Sequence, residues 1–225
     1  HRQLGGIGAR GRLLAPHAIG EGGPKTRFLA NVQAIRLLKQ LETEGRPATP
    51  DEKKALVKYV GWGGIPQAFD YENYKEVDRV RAETQAAGVD AEGIGWSPEG
   101  KWDKEREVLH QELTEAEYRA ARASTINAHY TSIPVVRGIY KALERLGFRG
   151  GRILEPGMGT GNFFGAMPLD VRAASRLSGV EKDDITGRIA QKLYDGADIR
   201  VQPYEDARFP DNFFDLAISN VPFAN

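Results

Sequence analysis

The sequence predicts an α/β protein: a mostly parallel sheet covered on both faces, preceded by an α-helical region. Three observations carry this. Up to residue 127, apolar residues recur at helical spacing. From Ala128, short apolar runs alternate with helix-like stretches, and acidic, glycine-rich or amide-bearing residues follow each run.

Residues 1–27 carry the pairs Gly5-Gly6 and Gly22-Gly23 with arginines between them. They read as a flexible lead-in or, alternatively, as a basic tail touching nucleic acid. The helical region, 28–127, begins at Phe28 with Val32, Ile35, Leu38 and Leu41, and Gly45 follows its polar end. Thr49 is placed to cap the next helix, with Pro50 in the first turn and Asp51 and Glu52 opposing the helix dipole. In "GWGGIPQAFD", glycines surround Trp62, which suits a tight turn on a core tryptophan or a functional loop. Residues 71–123 read as further helices broken near "GVDAEGIGWSPEG", with Thr114 capping ahead of Glu115 and Glu117.

The second part, 128–225, opens with a helix capped by Ser132. Val135, Val136, Ile139, Leu143 and Leu146 are expected on one side of it, and Gly147 ends it. Four strands are expected in "GRILEP", "RLSGVEK", "DIRVQPY" and "FFDLAISN", with a helix in "DDITGRIAQKLYDG" between the second and third.

The 225 residues suffice for one large domain, or one domain with a helical extension. The 40% hydrophobic and 28% charged composition is that of a soluble globular chain. No run of eighteen apolar residues exists, so a membrane-spanning helix is excluded. Zero cysteines exclude disulfides and thiolate metal sites, and fit a cytoplasmic setting. A net charge of zero excludes an overall basic field, so nucleic-acid contact has to come from a local patch or from parts of a longer protein.

Ligands of parallel sheets sit beyond the carboxyl ends of the strands. After the first strand, Gly157, Gly159 and Gly161 let the backbone turn tightly and approach a ligand. Asn162 stands where a dinucleotide fingerprint needs glycine, and no Lys-Ser/Thr pair completes a P-loop. Glu155 at the strand tip disfavours a pyrophosphate and suits a ligand carrying an ammonium group. After the second strand, Glu181 has the geometry to accept both hydroxyls of a ribose, or is a solvated glutamate beside Lys182. After the third, Glu205 or Asp206 can accept from the exocyclic amine of a purine. The fourth ends in "NVPF". There Asn220 offers an amide oxygen, Pro222 aims the Val221 carbonyl by restricting its backbone, and Phe223 offers a π face. Two acceptors beside an aromatic plate suit an –NH2 group on a flat ring, whose delocalised lone pair is drawn back onto nitrogen as the transition state forms. Neither metal nor thiol is needed. Taken singly, the glycine turn and "NVPF" also read as plain structural turns.

In order and spacing, "NAHYTS", "LEPGMGTGNF", "GVE", "YEDA" and "NVPF" resemble the motifs of S-adenosylmethionine-dependent N6-adenine DNA methyltransferases. With "YVGWGGIPQAFD" and "LTEAEYRAARAST" added, the stretch from Phe28 to Asn225 is similar to the methylase-like region of large helicase–methylase proteins of plasmids, phages and integrative elements. The resemblance implies a Rossmann-like methyltransferase sheet truncated after its fourth strand, 128–225 being the first part of a class I domain.

It also implies roles. Tyr130 and Thr131 would border the methionine part of the cofactor. Glu155, Pro156, Gly157, Gly159, Gly161 and Asn162 would surround its amino-acid end. Glu181 would hold the ribose, and Asp206, with Glu205 beside it, the adenine. Asn220, Val221 and Pro222 would orient the target amine, and Phe223 would stack on a base flipped out of DNA. Val221 departs from the broad family, which has proline there. The expected partners are DNA and a C-terminal helicase region in cis, with no membrane. The chain is expected to be a piece of a longer protein, inactive by itself. Two alternatives remain: methylation of another planar amine or amide, and a catalytically silent methylase-like module supporting a helicase or anti-restriction function.

Overall fold

The computed structural model describes residues 22–71, 74–89, 91, 94, 102–125 and 131–220. Among the described residues six α-helices precede the sheet: α1 (Pro24–Thr43), α2 (Pro50–Leu56), α3 (Tyr74–Ala86), α4 (Asp103–Glu112), α5 (Glu115–Ser124) and α6 (Ile133–Arg145). α1 starts ahead of Phe28, because Pro24 suits a first turn. Its buried row includes Val32, Ile35, Leu38 and Leu41, and Gly45 follows at φ +62°. Two capping boxes start helices where the sequence placed caps. Thr49 and Glu52 exchange hydrogen bonds at the head of α2, and Thr114 and Glu117 do so at the head of α5.

Trp62 is buried, packed edge-on against Phe69 (5.2 Å between ring centres) and Tyr59 (6.4 Å). The neighbouring turn is clasped by buried Asn31, which donates to the Gly61 carbonyl (2.6 Å) and accepts from the Val60 N–H (2.9 Å). Of the two readings of this stretch, the tight turn on a core tryptophan describes the fold.

α6 departs from expectation in two respects. Ser132 is the N-cap residue but its side chain makes no capping bond. Val135 and Leu146 are 53% and 84% exposed, and the helix buries Ile133, Val136 and Tyr140 instead. Ile139 and Leu143 are only partly buried against the core. The helix carries two adjacent apolar rows, and only one faces the core.

The sheet follows: β1 (Arg152–Pro156), β2 (Arg176–Glu181), β3 (Asp198–Val201) and β4 (Leu216–Ala217), in the order β3-β2-β1-β4, with every pairing parallel. Short helices α7 (Asn162–Ala166) and α8 (Leu169–Ala173) connect β1 to β2, and α9 (Asp184–Leu193) connects β2 to β3. The β3–β4 connection contains a 3-10 turn, Tyr204–Asp206, and no α-helix. In it Phe214 packs edge-on against both Phe209 (4.9 Å) and Phe213 (5.0 Å), with Arg200 over Phe209 (4.1 Å) and Arg152 over Phe213 (4.9 Å). Crossovers that step outward and then return place their connections on opposite faces. The connection that returns from β3 to β4 is this aromatic loop rather than a helix.

One continuous buried cluster runs from Phe28 and Trp62 through Val136 and Ile153 to Ile189 and Ile199, so the helices and the sheet share a core.

Candidate functional site

The order β3-β2-β1-β4 sets the carboxyl ends of all four strands along one edge, with the direction of progression reversing between β1 and β4. At the end of β1, Gly157, Gly159 and Gly161 all have positive φ (+63°, +56° and +76°), a conformation that disfavours any residue with a Cβ. The loop is held from below. The Met158 N–H donates to the Val180 carbonyl (3.0 Å), and the Gly161 N–H donates to the Met158 carbonyl (2.9 Å). Around Gly157 the structure is open: a Cβ there would meet nothing within 4 Å.

Glu155 is only 3% exposed. Burial pushes its carboxyl well above the usual range, hydrogen bonds from the Phe163 and Phe164 N–H groups at the head of α7 pull it back, and the Glu181 charge adds to the rise. Its Oε2 is buried without a hydrogen-bond partner, as is the hydroxyl of Tyr140, whose phenol burial pushes up, with the Glu155 charge adding to it. The sequence suggested a carboxylate presented at a strand tip. In the structure it lies beneath the loop and bonds the first amides of α7.

Glu181 joins the tips of β1 and β2. Its Oε2 accepts from the Gly159 N–H (2.7 Å), and its Oε1 accepts from the Asp183 N–H (2.8 Å). Burial raises its carboxyl above the ordinary value despite these donors. The Gln202 N–H donates to the Glu181 carbonyl (2.9 Å), which brings the end of β3 alongside. Just beyond, Glu205 and Asp206 are exposed on the 3-10 turn.

The tip of β4 meets the tip of β1. The Ile218 N–H donates to the Leu154 carbonyl (2.9 Å), and the Ser219 hydroxyl donates to the carbonyl of Pro156, the residue before Gly157. Asn220 follows and is exposed. From the other side, buried Asn162 donates to the Thr131 carbonyl (3.1 Å). Thr131, Glu155, Pro156, Gly157, Gly159, Gly161, Asn162, Glu181 and Asn220 are thus linked through adjacent strand ends, with Glu205 and Asp206 at the far side. Tyr130, Val221, Pro222 and Phe223 lie outside the described residues.

Three residues absent from the sequence reading bear on the loop. Ser219 ties β4 to it. Met158 packs beneath it, over Gly179. Tyr194 donates its hydroxyl to the Gly161 carbonyl (2.6 Å). All three act across long stretches of chain, so no local pattern marks them.

The fold and the site together define a mixed α/β protein with a four-stranded all-parallel sheet and a glycine loop at its strand tips. No family model matches the chain. It is similar to the "Defense against restriction protein B" of Escherichia phage P1, 26% identical over 151 residues, which is 66% of this chain. The match spans 6% of that relative's length. A solved structure, the methyltransferase subunit of a type I restriction-modification system from Streptococcus thermophilus, aligns with 89% of this chain and 57% of its own at 16% identity and a TM-score of 0.35. Among the described residues no helix is long and apolar enough to cross a membrane.

Proposed function

We propose that the chain forms the cofactor-binding part of a Rossmann-like, S-adenosylmethionine-dependent methyltransferase domain acting on N6 of adenine in DNA, within a longer protein that includes a helicase region. The observation that carries this reading is the Ser219–Pro156 hydrogen bond, which sets the residue before Asn220 beside the glycine loop. A methyl donor on the loop and an acceptor amine at Asn220 would then share one crevice.

The residues present fit the cofactor. Gly157 opens onto free space, where a ligand can lie against bare backbone. Glu155 keeps one buried oxygen unpartnered for an ammonium group. The Glu181 oxygens accept from the Gly159 and Asp183 N–H groups, and a carboxylate has acceptor capacity beyond these for ribose hydroxyls. Asp206 or Glu205 would receive the adenine amine. When bound, S-adenosylmethionine supplies an electrophilic methyl group on a sulfonium. The Asn220 oxygen and the Val221 carbonyl would accept the two N–H groups of the target amine, localising its lone pair for attack, and Phe223 would stack on the flipped base.

Calorimetry with S-adenosylmethionine on this chain tests the reading. The parent should bind, and Glu155→Ala and Gly159→Val should each bind at least about tenfold more weakly, Gly159 because its φ of +56° strains a β-branched residue. No binding by the parent, or equal binding by all three, overturns it.

The similarity to a phage anti-restriction protein favours a second reading: a methylase-like module that binds cofactor or DNA without turnover. Methyl incorporation into DNA by the complete protein, abolished by Asn220→Ala, decides for the enzyme. Cofactor binding without incorporation decides for the silent module.

A further inference from the structure

Gly161 is tightly constrained within the loop. It has φ +76°, caps α7, and its carbonyl accepts both the Gly165 N–H (2.9 Å) and the Tyr194 hydroxyl (2.6 Å). The Tyr194 ring lies against it: a Cβ on Gly161 would come within 2.6 Å of Tyr194 Cε2. Tyr194 is 2% exposed and packs edge-on against Phe164 of α7 (5.7 Å, 87°). Burying a phenol costs less when its hydroxyl is bonded, and here the acceptor is the loop backbone. Ring and hydroxyl together hold the third glycine in its left-handed conformation.

Tyr194 is itself held from the helical region. It is the C-cap residue of α9, its N–H donating to the Ala190 carbonyl (3.0 Å). Two residues before it, Lys192 donates to the Arg46 carbonyl (3.1 Å), in the link between α1 and α2. One residue after it, Asp195 pairs with Lys53 of α2 (2.5 Å), whose side chain is 13% exposed. The two ties flank Tyr194 and both end on the α1–α2 segment.

We infer that Tyr194 is a positioning residue for the glycine loop, and that through it the α1–α2 segment sets the loop's shape and hence its ligand affinity. Loops whose backbone touches a ligand bind best when preorganised, because ordering them on binding lowers affinity. The helical region then serves the site without contacting its ligand. This inference rests on the cofactor reading for its ligand measurement only.

The test uses two variants of this chain and two measurements. Tyr194→Phe keeps the ring and removes the hydroxyl. Lys53→Met keeps the length of the stem and removes the tie to Asp195. Amide hydrogen exchange is followed across residues 158–166 without ligand, and S-adenosylmethionine affinity is measured by calorimetry. Tyr194→Phe should raise exchange in 158–166 roughly fivefold and weaken binding by a similar factor, the change expected for one lost hydrogen bond. Lys53→Met should raise exchange in the same segment, and adding it to Tyr194→Phe should produce less than the product of the two effects, because both act through one contact. Unchanged exchange in 158–166 in either single variant, or fully multiplicative effects, would overturn the inference. Absence of cofactor binding by the parent would sink the cofactor reading instead, and the exchange data would still decide this one. Should Tyr194→Phe fail to fold, exchange in Lys53→Met alone decides it.

Discussion

Arg188 of α9 donates through Nη2 to Glu42 of α1 at 2.5 Å, and through Nη1 to Glu117 of α5 at 2.9 Å. Asp184 supplies a third carboxylate at 2.6 Å. These bonds tie the helical region to the crossover helix that follows Glu181. The Arg188 side chain is 23% exposed, so the pairs are shielded more than surface ion pairs are. Arg188→Ala should lower unfolding free energy by about 2 kcal/mol at neutral pH, measured by urea denaturation.

Acid should loosen the same junction. Burial pushes the Glu117 carboxyl up, but the Thr114 N–H, Lys39 and Arg188 outweigh it and hold the group at about 2. A carboxylate lowered in the folded state adds stability above its unfolded value, about 4.3, and loses it as pH falls through the folded value. Unfolding free energy should therefore decline between pH about 4.3 and about 2. Glu117→Gln should flatten that slope.

Glu155 carries the opposite sign. Its carboxyl is raised by burial, so the stability it contributes is complete below about 4.3 and is lost as pH rises toward its folded value. Glu155→Gln has no charge to bury. Its stability relative to the parent should grow as pH rises from about 4.3 to 7, measured by thermal melting across that range. A difference independent of pH would contradict the buried carboxyl.

Gly179 of β2 is required by packing rather than by backbone conformation. A Cβ there would overlap the Met158 sulfur. Gly179→Ala should destabilise by about 1–3 kcal/mol. Met158→Ala in the same chain should recover part of that loss, because the obstructing side chain is gone. Melting temperatures of the two single variants and the double variant check this.

What was legible in the sequence was local. Thr49 with Glu52, and Thr114 with Glu117, announce helix starts because a capping box closes within four residues. The four strands were visible as apolar runs, and the gathering of their tips follows from parallel pairing alone. α7 and α8 escaped because five residues do not complete two helical turns. On α6 Val135 and Leu146 were misplaced, because Val135 and Val136 are equally apolar and only the neighbouring elements decide which is buried. The position of Glu155 beneath the loop also depended on tertiary structure, since the Phe163 and Phe164 amides reach it only once α7 turns back on β1. Ser219, Met158 and Tyr194 make their contacts across the sheet, beyond the reach of any periodicity.

The sheet order has a consequence for assembly. β1 pairs with β2 from Arg152↔Arg176 onward, but its other neighbour joins through Ile153↔Leu216 and Leu154↔Ala217, each pair 63 positions apart. The Ser219–Pro156 bond likewise spans 63 positions. At ribosomal rates, that length of chain takes on the order of several seconds to emerge. Throughout this interval β1 offers a bare flank to any other nascent strand. Pairing with the wrong strand at that stage would leave Asn220 no place beside the loop, so yield on expression should depend on how quickly β4 arrives.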